Sequence, residues 1–239
     1  MEESKEDCLF YCKLAEQCER YEEMLYYAKK MAAFEEFDVE QRNLFSVAYK
    51  NVVGAKRASL RILQSIINKQ QQQETTHNYK ITIAQNYFSE ILKGMEVYAL
   101  EVIQIIHDLL LPKASTNEAK VFYRKMESDY YRYLCEFCQD KEKKDLYYAQ
   151  SLKATEEARK GVRDLHPCNP IRLGMELSWS VWYYEIMNEP QKALQIAKEA
   201  FDSAIERLDE LEEEQYKDST LIMQLLRDNM TLWDTKENA

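Results

Sequence analysis

The chain contains very little that stops a helix. Average usage would place roughly 17 glycines and 12 prolines in a chain of this length, yet the sequence holds 4 of each among its 239 residues. Glycine and proline terminate helices and shape tight turns, so their scarcity leaves long helices as the way to fold so much polypeptide. The apolar residues agree. They recur at intervals of three and four nearly everywhere and alternate strictly almost nowhere, which is the pattern of amphipathic helices rather than strands. A hydrophobic content of 46% supplies enough apolar side chain for a substantial core.

About nine helices are predicted, near 4–17, 20–34, 39–70, 77–111, 117–139, 142–164, 171–187, 190–209 and 217–234. Asp38 is expected to cap the third of them. The polar run KQQQQETTHN (69–78) reads as a frayed helix end and an exposed loop. Pro112 ends the fourth helix, and Ser115 or Thr116 caps the fifth. LHPCNP (165–170), with Pro167 and Pro170, is the clearest interruption. No linker stands out, so residues 1–239 are read as a single all-helical domain.

Charge and composition exclude several functions. Lysine and arginine number 32 against 42 acidic residues, and the net charge of −10 repels nucleic acid and anionic membrane at long range. No apolar run is long enough for a membrane span, and the N-terminus MEESKEDCLFYCKLAEQ is acidic where a signal peptide is basic. A cytoplasmic protein that contacts neither nucleic acid nor membrane is expected, with its six cysteines reduced. Cys135 and Cys138 have CxxC spacing but no second pair to complete a metal site. His77, His107 and His166 are isolated, and no glycine-rich phosphate loop, G-x-S-x-G elbow or HExxH occurs. No enzyme, metal or cofactor is expected.

The third predicted helix is more informative. Lys50, Arg57 and Arg61 are spaced seven and four apart and share one face, either as an anion site or as partners of the many glutamates. The seventh and ninth helices each show two apolar sides. Leu177 and Val181 lie with Ser178 and Glu185, opposite Met175, Trp179, Trp182 and Ile186. Leu221, Ile222 and Leu225 lie with Asn229, and Met223, Leu226 and Met230 form a second stripe. One packing interface needs only one stripe, so each helix is either buried on both sides or keeps one face for a ligand.

Long segments of the chain resemble one family. RNLFSVAYKNVVGAKR (42–57), KVFYRKMESDYYRYL (120–134), NPIRLGMELSWSVWYYEI (169–186) and DSTLIMQLLRDNMTLW (218–233) are similar to signature segments of the 14-3-3 proteins, as is KLAEQCERYEEM (13–24). The resemblance covers nearly the whole chain in order. It implies an all-α fold of nine antiparallel helices forming a concave amphipathic groove, with residues 1–111 as dimerisation helices and groove base and 112–239 as the groove-forming helices. It implies a signalling adaptor that binds phosphoserine or phosphothreonine segments of client proteins, as a homodimer or heterodimer. Lys50, Arg57, Arg132 and Tyr133 match the phosphate pocket. Lys125, Asp129, Leu177, Ser178, Val181, Glu185, Leu221, Ile222, Leu225, Asn229 and Trp233 match peptide-binding positions. Three cationic heads in one nook, free of neighbouring carboxylates, is the expected arrangement. The competing reading, a TPR-like scaffold for unphosphorylated peptides, would require a self-similar period of about 34 residues, and none is visible.

Two departures stand out. Ser178 replaces an asparagine that holds the peptide backbone in the family, so a weaker or water-mediated clamp is expected. At the implied dimer surface Leu14, Cys18, Arg20, Glu23, Ser59 and Tyr87 fit, but Glu90 stands where a lysine is expected and Gly94 where a glutamate is. Glu23 then faces a like charge, and a looser or shifted dimer is expected, held by apolar burial rather than by rim ion pairs. Ser59, in KRASLR, also follows basic residues as the target of a basophilic kinase would.

Overall fold

The computed structural model describes residues 3–72 and 78–237, so the predicted loop residues 73–77, with His77, lie outside the described residues. Among the described residues there are nine α-helices and no strand. They are α1 (Lys5–Gln17), α2 (Tyr21–Ala32), α3 (Val39–Gln72), α4 (Asn78–Ile105), α5 (Asn117–Phe137), α6 (Lys141–Val162), α7 (Pro170–Glu185), α8 (Pro190–Ile205) and α9 (Glu213–Glu237).

Local chemistry sets most boundaries. Ser4 caps α1 in a reciprocal box with Asp7, whose backbone N–H donates to Ser4 Oγ at 3.1 Å. Asp38 does the same for α3, accepting from the Gln41 N–H at 2.8 Å, as expected. Thr116 caps α5 through the Ala119 N–H, 3.1 Å. Asn169 accepts from the N–H groups of Ile171 and Arg172 ahead of α7, and Pro170 occupies the first turn, where its missing N–H costs nothing.

The end of α4 differs from expectation. The sequence predicts α-helix to residue 111, but Ile106–Leu110 is a π-helical turn followed by a 3-10 turn at Leu111–Lys113. Pro112 cannot donate to the carbonyl four residues back, and its ring crowds that carbonyl. The wider register, with the Leu111 N–H on the Ile106 carbonyl, carries the chain past the obstruction. The ninth helix begins four residues earlier than predicted, at Glu213 rather than 217.

The chain forms two compact units. The first comprises residues up to Ala114 with Tyr133–Tyr147. In it α1 packs on α2, α2 on α3 and α3 on α4. Met24, Leu25, Met31, Phe45, Tyr49, Leu60 and Met95 are fully buried there. The Tyr49 hydroxyl donates to Glu101 Oε1 at 2.7 Å, and Lys29 reaches the other oxygen of the same carboxylate at 3.0 Å, so the buried phenol is satisfied.

The second unit comprises Ser115–Arg132 and the chain from Tyr148 onward. Its α7 has neighbours on both sides. Met175, Trp179 and Trp182 pack with Val121, Ala158 and Val162 of α5 and α6. On the other side Leu173 joins Ala193, Ala197, Met223, Leu226 and Trp233 of α8 and α9. A buried hydroxyl network that periodicity does not announce ties α5 to α6. Ser128 Oγ lies 2.6 Å from Thr155 Oγ1, and it also donates to the Ser151 carbonyl at 3.0 Å.

Candidate functional site

On α3 the 3.6-residue period buries Phe45, Tyr49, Val53 and Leu60 and turns Lys50, Gly54, Arg57 and Arg61 to a common outer stripe. Lys50 is exposed and has no ion pair or hydrogen bond among the described residues. Gly54, between the two cations, faces open space, with no atom within 4 Å of where a Cβ would be. The Arg57 guanidinium lies flat over the Tyr133 ring, its carbon 3.7 Å from the centroid. Its Nε and Nη2 donate to Glu136 Oε2 at 2.9 and 2.6 Å. Arg61 donates to the other oxygen of the same carboxylate. Burial pushes the Glu136 carboxyl up, but the two guanidiniums outweigh it and hold the group below its usual range.

These contacts fix the fork of Arg57 and leave its Nη1 edge without a partner among the described residues. Glu136 is shared between two arginines and Lys50 has no carboxylate among the described residues, so the Lys50–Arg57 end of the stripe stays cationic. Glu136 is the residue that sequence reasoning missed. It lies 79 residues from Arg57 in the chain, beyond any local spacing rule.

In the second unit Arg132 is more completely satisfied. Its Nη2 donates to Asp129 Oδ1 at 3.2 Å and its Nη1 to Glu185 Oε2 at 2.9 Å. Lys125 donates to the other Asp129 oxygen at 2.8 Å, and Ser178 Oγ is 3.4 Å from it. Burial raises the Asp129 carboxyl, but Lys125 and Arg132 reverse the sign and leave it below its usual value. The expectation of cationic heads free of neighbouring carboxylates is therefore corrected. Lys50 has no carboxylate among the described residues, Arg57 shares one, and Arg132 is held by two. Four side chains predicted to bind a peptide or phosphate, Lys125, Asp129, Arg132 and Glu185, form one ionic cluster, and Ser178 touches it.

An apolar wall accompanies the cluster. Leu177 and Val181 of α7 and Ile222 of α9 are half-buried against the core, while Leu221 and Leu225 are 67% and 47% exposed. Exposed leucines one helical turn apart are not needed for packing. Asn229, one turn beyond Leu225, is half-buried and makes no hydrogen bond among the described residues. Trp233 is placed differently from the others. It is 3% exposed and stacks on Tyr184 with ring centroids 4.7 Å apart, so it is part of the core beneath the wall.

The predicted dimer residues lie on the first unit. Leu14, Cys18, Tyr87 and Glu90 are exposed. Arg20 and Glu23 pair with each other within the chain, Nε to Oε2 at 2.8 Å. Ser59 and Tyr87 line a cleft of about 430 Å3 with Glu19, Glu22 and Lys56. Gly94 leaves a place that Lys56 approaches, its Nζ 3.8 Å from where a Cβ would stand. Ser59 Oγ donates to the Ala55 carbonyl at 3.0 Å, an ordinary bond within the helix. The CxxC thiols point at backbone carbonyls, Cys135 toward Lys144 and Cys138 toward Asp140. No group of three or more metal-ligating side chains occurs among the described residues. No helix there is long and apolar enough to cross a membrane.

The family model described as "14-3-3 protein" matches residues 11–234. The chain belongs to the 14-3-3 family. Among curated 14-3-3 relatives, 14-3-3 protein 3 of Entamoeba histolytica is 51% identical over 98% of this chain and 97% of its own length. Protein BMH2 of Saccharomyces cerevisiae is 48% identical over 98% of this chain and 85% of its own. The checkpoint signal transducer rad24 of Schizosaccharomyces pombe is also 48% identical, over 96% and 85%. Membership of the 14-3-3 family places the chain among signalling adaptors and not among enzymes, and it sets aside the TPR-like reading.

Proposed function

We propose that this 14-3-3 protein binds phosphoserine or phosphothreonine segments of client proteins and, by occupying them, changes the client's conformation, location or partners. Lys50, Arg57, Arg132 and Tyr133 hold the phosphate in this reading. Lys125, Asp129, Ser178, Glu185 and Asn229 contact the extended segment, the leucine wall of α7 and α9 takes its apolar side chains, and Trp233 supports that wall from below. The observation that carries the proposal is the α3 stripe, with Lys50 unpaired and Arg57 fixed on a tyrosine face with one edge open, in a chain of net charge −10. An arginine held in place on the same stripe as a lysine without a carboxylate suits an anion of more than one charge. Phosphate brings about −1.5 to −2 charges and three acceptor oxygens at neutral pH. Each charge-assisted bond is worth about 1.5–3 kcal/mol.

The test is fluorescence titration with a phosphopeptide and its unphosphorylated twin. Arg57→Ala and Arg132→Ala are each expected to weaken the phosphopeptide by roughly 2–5 kcal/mol, the usual effect of removing one partner from a desolvated charge pair. Unchanged affinity in both would remove the pocket. Ser178→Asn is expected to tighten binding, because a carboxamide reaches further than a hydroxyl and both donates and accepts. Two further parts of the proposal concern the cell. The protein acts in the cytoplasm, and it pairs with a second 14-3-3 chain through Leu14, Cys18, Arg20, Glu23, Ser59, Tyr87 and Glu90. A pull-down from phosphorylated and dephosphorylated lysate, with identification of what is retained, would name the clients.

A further inference from the structure

Arginines in this chain commonly hold a carboxylate, as Arg20, Arg57, Arg61, Arg124, Arg132 and Arg207 do. Three that hold none among the described residues lie together in the second unit. Two clefts adjoin there: Arg159 in the last turn of α6 and Arg172 in the first turn of α7 line one of about 180 Å3, and Arg159 and Arg163, just after α6, line one of about 470 Å3. Arg159 and Glu176 are common to both clefts. The Arg159 guanidinium rests on the Trp179 ring, 5.2 Å from its centroid, and makes no hydrogen bond among the described residues. Arg172 is tied down through Nη1 to the Leu165 carbonyl at 2.8 Å, which leaves its Nε and Nη2. Arg163 is exposed and bonds nothing among the described residues. Stacking on an aromatic face and a bond to a carbonyl both fix a guanidinium while leaving N–H donors for a ligand.

Glu176 shares this space without forming an ion pair or hydrogen bond among the described residues. Burial raises its carboxyl above the ordinary range, Arg159 and Arg172 offset part of that, and Glu199 from α8 adds to it. The remaining charges at the rim are Glu156 and Lys160. A carboxylate beside three guanidiniums that bonds none of them leaves room between for another acceptor.

We infer that the cleft of α6, α7 and α8 is a second anion site, built for a phosphate monoester whose oxygens are taken by Arg159, Arg163 and Arg172. Three guanidinium edges suit a tetrahedral group with three free oxygens, whereas a flat carboxylate offers two. None of these residues takes part in the α3 stripe or the Arg132 cluster, so the inference stands apart from the phosphopeptide reading.

The test uses the full chain with 15N-labelled indoles, titrated with inorganic phosphate and then with O-phosphoserine and AMP. Trp179 lies under Arg159 and reports this cleft, whereas Trp233 packs beneath the α7–α9 wall. The Trp179 signal is expected to shift saturably with phosphate, in the wild type and in Arg57→Ala alike. Arg163→Ala, which disturbs no packing, should weaken that shift about tenfold, the effect of losing one charge-assisted bond. Glu176→Gln removes a repulsion at constant shape and should tighten it. The inference is overturned by a Trp179 signal that stays still or never saturates, by one that disappears in Arg57→Ala, or by equal affinities in the wild type and both cleft variants. A preference for O-phosphoserine supports the site and points to a phosphorylated protein segment, while a preference for AMP supports it and points to a phosphorylated metabolite.

Discussion

Arg57 and Arg132 both have carboxylate neighbours, but their electrostatic situations differ. Arg57 divides Glu136 with Arg61, whereas Arg132 has Asp129 and Glu185 to itself and Lys125. In the proposed function, a client phosphate would therefore meet less competition at Arg57. Asp129 carries a further consequence. Its folded-state pKa is lowered from 3.8, so the stability it contributes is fully present above 3.8 and is lost as pH falls through the lower folded value. Asp129→Asn should cost about 1–3 kcal/mol at neutral pH, where it leaves two half-buried cations short of a counter-charge. The same variant should flatten the acid limb of a stability curve below 3.8. Urea melts of both proteins at several pH values would check this, and parallel acid limbs would contradict the assignment. The positions of Lys50, Arg57 and Arg132 were readable from the sequence because local spacing and signature segments carry them. The pairing of Glu136 with Arg57 and of Glu185 with Arg132 was not, because these carboxylates reach their arginines across 79 and 53 residues of chain.

At the level of elements, two glycines give opposite expectations. Gly161 in α6 packs so close to α5 that a Cβ would stand 2.8 Å from Val121 Cγ2. Valine is stiff at χ1 and this one is buried, so it cannot move aside cheaply. Alanine gains about 1 kcal/mol in helix propensity, but overpacking costs about 1–3 kcal/mol, and Gly161→Ala should be destabilised in a urea melt. Gly54 faces open space, so Gly54→Ala should be stabilised by about 1 kcal/mol. Gly54→Leu should fold as well and lose phosphopeptide affinity, because its side chain would fill the gap between Lys50 and Arg57. Helices with caps such as Asp38 and Thr116 were legible because the capping chemistry is local. The π turn before Pro112 was not, because proline signals an obstruction without saying whether the helix stops or widens. The second face of α7 was ambiguous for a related reason. Periodicity marks a stripe as apolar but cannot say whether a neighbouring helix covers it fully, as at Leu173, or only partly, as at Leu177 and Val181.

For the whole molecule, association is the open variable. Glu23 is occupied by Arg20 within the chain, and Lys56 approaches the place Gly94 leaves empty. Apolar burial at Leu14 and Tyr87 would hold a dimer with little help from rim charges, each worth about 0–1 kcal/mol. Sedimentation should show dissociation on dilution that is nearly insensitive to salt, and a tight dimer at the lowest measurable concentration would count against it. The grip of Arg57 on Glu136 reaches beyond the chain itself. A client whose phosphoserine has been mutated to glutamate would present this adaptor with a group it already possesses, an exchange of like for like with nothing gained. Phosphomimetic clients should go unrecognised, and kinase activity, rather than acidity in general, would decide who is bound.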